Sequence, residues 1–415
     1  MPPAPTASLG QRLAVRFGIA YFGLYAIATP MASFLFVLPD GRSVGEHGWY
    51  RLVMWVGTQV FGLAGINANK GSGDRMFDWV QMAVFLVMAS VVASVWMAIE
   101  RRRLDEARLR AWWFTGLRCG LGGVLMFYGA IKVFPVQMVA PSLTRLFEPV
   151  GQLTPMDLLW TWVGASHPYE RVIGGLEVGA ALLLFIPRTA SIGAIAALLE
   201  TAYIFVLDLA YDVPVKLWIA HLTVMALILA WPDLPRIIAV LTHRRSVDPA
   251  PQTPLFRSPA LARMAVWAQV AIGVYAGSVH LMFARAEWVE RDVANVSMGA
   301  AYGAWAVADT SDVAGQLPWR RVIFEQGTAA FQRLDDSFVR YRARVDQAAG
   351  TMALAISEDA ESFSTLNFSS PAHGQLVVRG RLDGRDVALT LRTIDTSTLP
   401  LVSHPYRLSQ EAPSK

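Results

Sequence analysis

Five side chains able to hold or move a proton lie inside runs otherwise built of apolar residues: Tyr128, Lys132, Glu177, Glu200 and His221. Three more, Asp208, Asp212 and Lys216, gather in LDLAYDVPVK (207–216), where two such runs meet. An ionisable group inside a membrane helix costs about 2.5–3.5 kcal/mol on insertion scales and usually faces a bundle interior or a wet cavity. The chemistry open to this set is proton transfer and hydrogen bonding to a polar headgroup. His221, whose ordinary titration range lies nearest neutrality, is the first candidate proton carrier, with Glu177 and Glu200 beside it. Tyr128 and Lys132 are candidates for holding a headgroup. Asp208, Asp212 and Lys216 would form the mouth of the pocket.

Each residue also has a structural reading. Asp212 just before Pro214 can cap a helix start, and Lys216 one turn on can pair with it. Lys132 and Glu177 can be a buried pair that fixes helix register. A lone intramembrane histidine can be a hydrogen-bonded packing residue. The glycines of VIGGLEVGA (172–180) most simply allow close helix approach.

The elements that must position these groups follow from composition. The chain has 415 residues, 54% hydrophobic and 16% charged, with mean hydropathy +0.38, whereas soluble domains carry roughly a quarter charged residues. A span needs about 20 apolar residues, and seven segments qualify: roughly 15–38, 78–99, 112–136, 170–187, 190–208, 214–231 and 262–284. Pro30 should kink the first, and Arg118 should snorkel from the third. At about 1.5 Å per residue from the proposed outer boundary, Glu177 lies about 12 Å deep and Glu200 and His221 about 10 Å deep. Tyr128 and Lys132 share one face at a similar level. Short connections such as PRTA and DLAYDV make the helices that carry them antiparallel neighbours, as in an up-down bundle. The five groups are therefore expected to converge on one pocket.

The net charge of +4 and pI near 9.3 do not point to nucleic acid, because the arginines flank apolar blocks in clusters such as ERRRLDEARLR (100–110) and THRRS (242–246). That bias favours a cytoplasmic N-terminus. Seven spans then put the C-terminal domain outside, in the periplasm of a bacterial inner-membrane protein. MPPAPTASLGQR shows no cleavable signal pattern, so the first apolar block is expected to stay as an anchor. The single Cys119 allows neither an internal disulfide nor a CxxC motif, and ligand counts argue against haem, iron–sulfur and zinc sites.

Between the first two spans, WYRLVMWVGTQVFGLAGI (49–66) reads as an interfacial helix and GSGD (71–74) as a turn rather than a phosphate cradle. Trp160 and Trp162 belong to an interfacial belt. After Ala284 a short connector leads to a β-rich domain. GQLVVRGRLDGRDVALTLRTI (374–394) alternates about Asp383-Gly384, a hairpin signal. Shorter alternating pieces are 319–325, 338–346, 351–357 and 363–368. Five to seven antiparallel strands are expected, as a β-meander or small barrel, followed by a frayed SQEAPSK tail. The domain division reads 1–111, 112–240, 241–284 and 285–415.

FYGAIKVFPVQM (127–138), GGLEVGAALLLFIPRTASIGA (174–194) and LDLAYDVPVKLWIAHLTVMALILAWPD (207–233) resemble the DoxX family of small bacterial membrane proteins. The resemblance covers about 112–240, the family's four-helix unit. It implies an association with quinone-linked or thiol-linked redox systems, as a subunit or accessory; on the ligand counts above, an electron donor would have to be another protein. The lack of a cysteine pair disfavours the thiol mechanism here. Three functions follow: a quinone-linked redox accessory in contact with membrane lipids; a non-enzymatic anchored protein whose β-domain holds a lipid, small ligand or partner chain; and a proton-coupled transporter of a small solute.

Overall fold

The computed structural model describes residues 8–36, 49–66, 74–100, 104–243, 253–296, 298–309, 319–325, 327–356 and 363–403. Expectations for Gly71–Gly73, the arginines at 101–103 and 244–245, and the SQEAPSK tail lie outside them. The chain divides into two compact units, Met1–Phe134 with Arg171–Ala284, and Pro135–Glu170 with Arg285–Lys415.

The first unit is helical. Its helices are α1 (Leu9–Ala28), α2 (Met31–Leu35), α3 (Tyr50–Gln59), α4 (Met76–Ile99) and α5 (Glu106–Val133). Helices α6 (Leu143–Leu146) and α7 (Pro155–Gly164) belong to the second unit. Then come α8 (His167–Phe185), which begins at the boundary between units, α9 (Ala190–Ala210), α10 (Lys216–Ala230), α11 (Leu234–His243) and α12 (Pro259–Val296). Ser8 and Gln11 close a reciprocal capping box at the start of α1. The helix breaks at Thr29-Pro30, as the missing proline N–H requires.

Four stretches are long and apolar enough to cross a membrane: α4, α5, α9 and Pro259–Arg291 of α12. The α10–α11 pair, bent by 68°, makes a fifth if it is one span. The count is thus lower than the seven apolar segments. Helix α8 carries Glu170, Arg171 and Glu177 within 19 residues, and α1 carries Arg12 and Arg16 before its break. Helix α12 also runs on past Ala284, where a connector is expected, to Val296.

Arg12 and Arg16 are not free loop cations. Arg16 is fully buried and donates to Glu100 (2.7 Å) and Glu106 (2.7 Å), while Arg12 reaches the same two acids at 3.1 and 3.0 Å. This network ties α1 to the end of α4 and the start of α5. Arg118 does not snorkel freely; it donates to Gln269 of α12 at 2.6 Å.

The second unit is a closed up-and-down barrel of eight antiparallel strands in sequential order. They are β1 (Gly303–Asp309), β2 (Trp319–Glu325), β3 (Thr328–Arg333), β4 (Phe338–Asp346), β5 (Thr351–Ala355), β6 (Ser364–Ser369), β7 (Gln375–Leu382) and β8 (Arg385–Ile394). The β7–β8 turn has positive φ at both Asp383 (51°) and Gly384 (77°), the geometry an Asp-Gly hairpin demands. The Tyr341 hydroxyl donates to Asp383 at 2.7 Å; burial first, and this bond second, push that phenol's pKa up.

The interior is filled. Phe324, Phe331, Met352, Leu366, Leu376 and Leu391 are each no more than 1% exposed, as expected where eight strands leave only side-chain width. Strands β1, β2 and β3 break the alternation of buried and exposed residues, and β3 shows why. Its outer residues Ala330 and Gln332 are buried as well as its inner ones, because residues 135–170 cover them. Gln332 donates to the Phe147 carbonyl at 3.0 Å, and Arg321 lies over the Phe147 ring at 4.9 Å. The buried Glu325 carboxylate accepts the Leu143 and Thr144 amides at 2.6 and 3.0 Å. Arg291 holds the Val136 carbonyl at 2.8 Å.

Glu325→Ala strips two backbone amides of their acceptor, at a cost of about 1–3 kcal/mol. We expect a lower melting temperature for the full-length protein and faster proteolysis within 135–170. Unchanged cleavage there would contradict this account of the clasp.

Candidate functional site

The site begins with a close helix crossing. A Cβ on Gly129 would lie 2.8 Å from the Gly174 carbonyl oxygen, and one on Gly174 would lie 2.6 Å from the Lys132 Cβ. Helices α5 and α8 therefore meet backbone to backbone. The two residues that the glycine crossing brings together are Lys132 and Glu177, 5% and 4% exposed. Lys132 Nζ donates to both carboxylate oxygens, at 2.5 and 2.7 Å. Tyr128, half-buried one turn before Lys132, presents its ring to the ammonium at 5.7 Å.

Helix α9 adds two acids. Glu200 lies within electrostatic reach of Glu177 and Lys132. Asp208 is 4% exposed and lies within reach of Asp74, Lys216 and Lys132. One oxygen of each, Glu200 Oε2 and Asp208 Oδ2, is buried with no donor among the described residues. These carboxyls differ in kind from Glu177, whose two oxygens are both satisfied by the ammonium.

His221 takes a different position from the one expected. Its Nε2 faces the Tyr21 hydroxyl at 2.7 Å and its Nδ1 the Leu217 carbonyl at 2.6 Å. Its ring stacks on Tyr25 at 4.2 Å and 8°. Both nitrogens thus serve α1 and the histidine's own helix rather than the acids, so the five-group convergence divides. Tyr128, Lys132, Glu177 and Glu200 come together, while His221 joins Tyr21 and Tyr25. Equal depth on neighbouring helices did not fix rotational phase. The signal for the tyrosines was present, since Phe17, Tyr21 and Tyr25 recur at i, i+4 on α1.

The mouth also differs. Asp212 pairs with Lys216 at 2.8 Å, as the spacing predicts, but it does not cap α10. It takes a left-handed backbone (φ 51°) ahead of the helix. The cap is Asp74, the last residue of GSGD, whose carboxylate accepts the Lys216 and Leu217 amides at 2.8 and 2.7 Å. Asp74 also lies 3.7 Å from Lys216 Nζ. His280, on α12, bonds the Phe34 carbonyl at 2.7 Å, beside the break in the first apolar segment.

No protein-family model and no solved structure matches the chain. A Bacillus subtilis (strain 168) protein, uncharacterized protein YwoB, is 39% identical over 99 residues, which cover 22% of this chain and 64% of that protein. The chain thus spans slightly less than two thirds of that relative, and the likeness carries no activity with it.

Lys132→Met leaves the Glu177 charge buried without a partner and should destabilise the protein by about 3–5 kcal/mol. Lys132→Met combined with Glu177→Leu should recover most of that loss. Unfolding of the purified protein in detergent measures both, and additive losses would refute the pairing.

Proposed function

We propose that the chain is an integral membrane protein with a DoxX-like helical unit that serves as an accessory to a quinone-linked redox system. The carrying observation is the pair of buried carboxyl oxygens, on Glu200 and Asp208, that lack protein donors beside the satisfied Lys132–Glu177 pair. Such groups suit a ligand that offers and takes protons. Converting a quinone to a quinol takes two electrons and two protons. The electrons would come from a partner protein. The chain's part is to supply protons and hold the headgroup. In this reading Lys132 and Tyr128 orient a carbonyl oxygen, and Glu200 exchanges a proton with it.

The orientation proposed is N-terminus cytoplasmic and barrel periplasmic, in a bacterial inner membrane. Residues 135–170 and the barrel form one compact unit, which supports one side for both, with an even number of crossings between them; the choice of side rests on the arginine bias. Helices α9, α10 with α11, and α12 are candidate spans, and the proposal takes the more charged α8 as the fourth crossing.

A barrel that holds a lipid is the weaker reading, because its filled interior leaves no room for one. A partner chain on its outside is compatible with the fold. A proton-coupled transporter would use the same acids and would show solute uptake into proteoliposomes that Glu200→Gln abolishes.

Protein extracted in mild detergent should carry bound quinone, and Glu200→Gln should lose most of it while keeping the wild-type melting temperature. Quinone-free wild-type protein that also fails to take up added quinone would sink the redox reading. For orientation, Gly151→Cys and Ser370→Cys should react with a membrane-impermeant maleimide from the same, periplasmic, side of intact cells. Cys119 is buried and gives little background.

A further inference from the structure

A second set of charges in the first unit, apart from the Arg16 network, can be followed from an exposed carboxylate to two buried ones. Asp212 stands at the exposed end, its side chain 82% accessible, and holds Lys216 at 2.8 Å. Lys216 lies 3.7 Å from Asp74. Asp208, almost wholly buried, lies within electrostatic reach of Asp74, Lys216 and Lys132. Lys132 is bound to Glu177, and both act on Glu200. Tyr128 borders this set, within reach of Glu177 and Asp208. Acid and base alternate from Asp212 through Lys216 to Asp74; two acids then adjoin, Asp74 and Asp208, before Lys132, Glu177 and Glu200.

Two members break the pairing pattern. Asp208 and Glu200 each keep a buried oxygen without a donor among the described residues. A carboxylate that leaves water without a full set of donors is costly as an anion and cheap as a neutral acid. Both lie on α9 two turns apart, with the Lys132–Glu177 pair in reach of one or both.

We propose that Asp208 and Glu200 are the two protonated stations of a proton-uptake path that enters at Asp212, Lys216 and Asp74. A proton arriving at the exposed carboxylate of Asp212 passes inward to Asp208 and then, by bridging water across the roughly 12 Å along α9, to Glu200, and each donor is reprotonated from the outer side. No electron moves and no bond to carbon changes. His221 is not a member, because Tyr21 and the Leu217 carbonyl occupy both its nitrogens. The path rests on the membrane placement and on the proton-exchanging role given above to Glu200, but not on the identity of the acceptor.

Infrared spectroscopy of the full-length protein in lipid bilayers tests it. At neutral pH the wild type should show a carboxylic-acid C=O band that shifts in D2O. Glu200→Gln and Asp208→Asn should each remove part of that band. Asp212→Asn and Lys216→Met should leave its amplitude intact but slow the D2O shift roughly tenfold or more, as loss of a proton-transfer partner does. Circular dichroism of each variant establishes that the helices are retained. The proposal is overturned if the wild type lacks the band, if neither α9 variant reduces it, or if the mouth variants exchange as fast as the wild type. Quinone content is measured on the same samples. An intact, mouth-dependent band without quinone removes the quinone reading alone, and bound quinone without the band removes the path alone.

Discussion

The approach of α5 to α8 governs what the helical unit can hold. Gly129 and Gly174 bring the two backbones so close that no side chain fits between them, and the next turn of each helix places Lys132 against Glu177. An ammonium and a carboxylate taken out of water have lost several kcal/mol each, and only a short, bidentate contact returns it. The glycines make that contact geometrically unavoidable. Registry follows, since a shift of either helix would strand one of two buried charges. The aromatic face of Tyr128 adds to the ammonium's surroundings without competing for the carboxylate.

The Glu177 carboxylate is satisfied at both oxygens by the ammonium, whereas the neighbouring acids are not. Lys132 has three donors, and its contacts to Glu177 use both oxygens of that one acid. Glu200 and Asp208 lie within the field of the pair yet outside its hydrogen bonds. The same strong ion pair that fixes the helices thereby leaves two carboxyls chemically unspent. Stability and reactivity here are divided between adjacent residues rather than compromised within one.

Much of this was legible from sequence. The polar residues in apolar runs, the close-packing role of the glycines, the Asp212–Lys216 pair, the Pro30 break and the Asp-Gly hairpin each rest on local chemistry that the fold does not override. What escaped was long-range. Asp74 caps a helix that begins about 140 residues later, so no spacing rule could pair them. His221 turns toward tyrosines of α1, a helix outside the four-helix unit in which its partners were sought. Strand β3 lost its alternation because residues 135–170 bury its outer face, and a two-sided core reads as a featureless apolar run.

The same segment bears on orientation more firmly than hydropathy or charge bias does. Hydropathy counts four or five spans, because α1 and α8 carry charges that lower their average. Those charges are neutralised in place. Arg16 is buried against Glu100 and Glu106, and Glu177 against Lys132, so the helices can sit in an apolar phase despite their composition. For the same reason Arg12 and Arg16 weaken as positive-inside signals, being already paired with acids of the same end of the bundle. The clasp of Glu325 on Leu143 and Thr144 depends on neither measure. It is a pair of hydrogen bonds between chain segments 180 residues apart, and hydrogen bonds do not reach across a bilayer. In the proposed membrane placement, the crossings between Phe134 and Arg285 are therefore even in number.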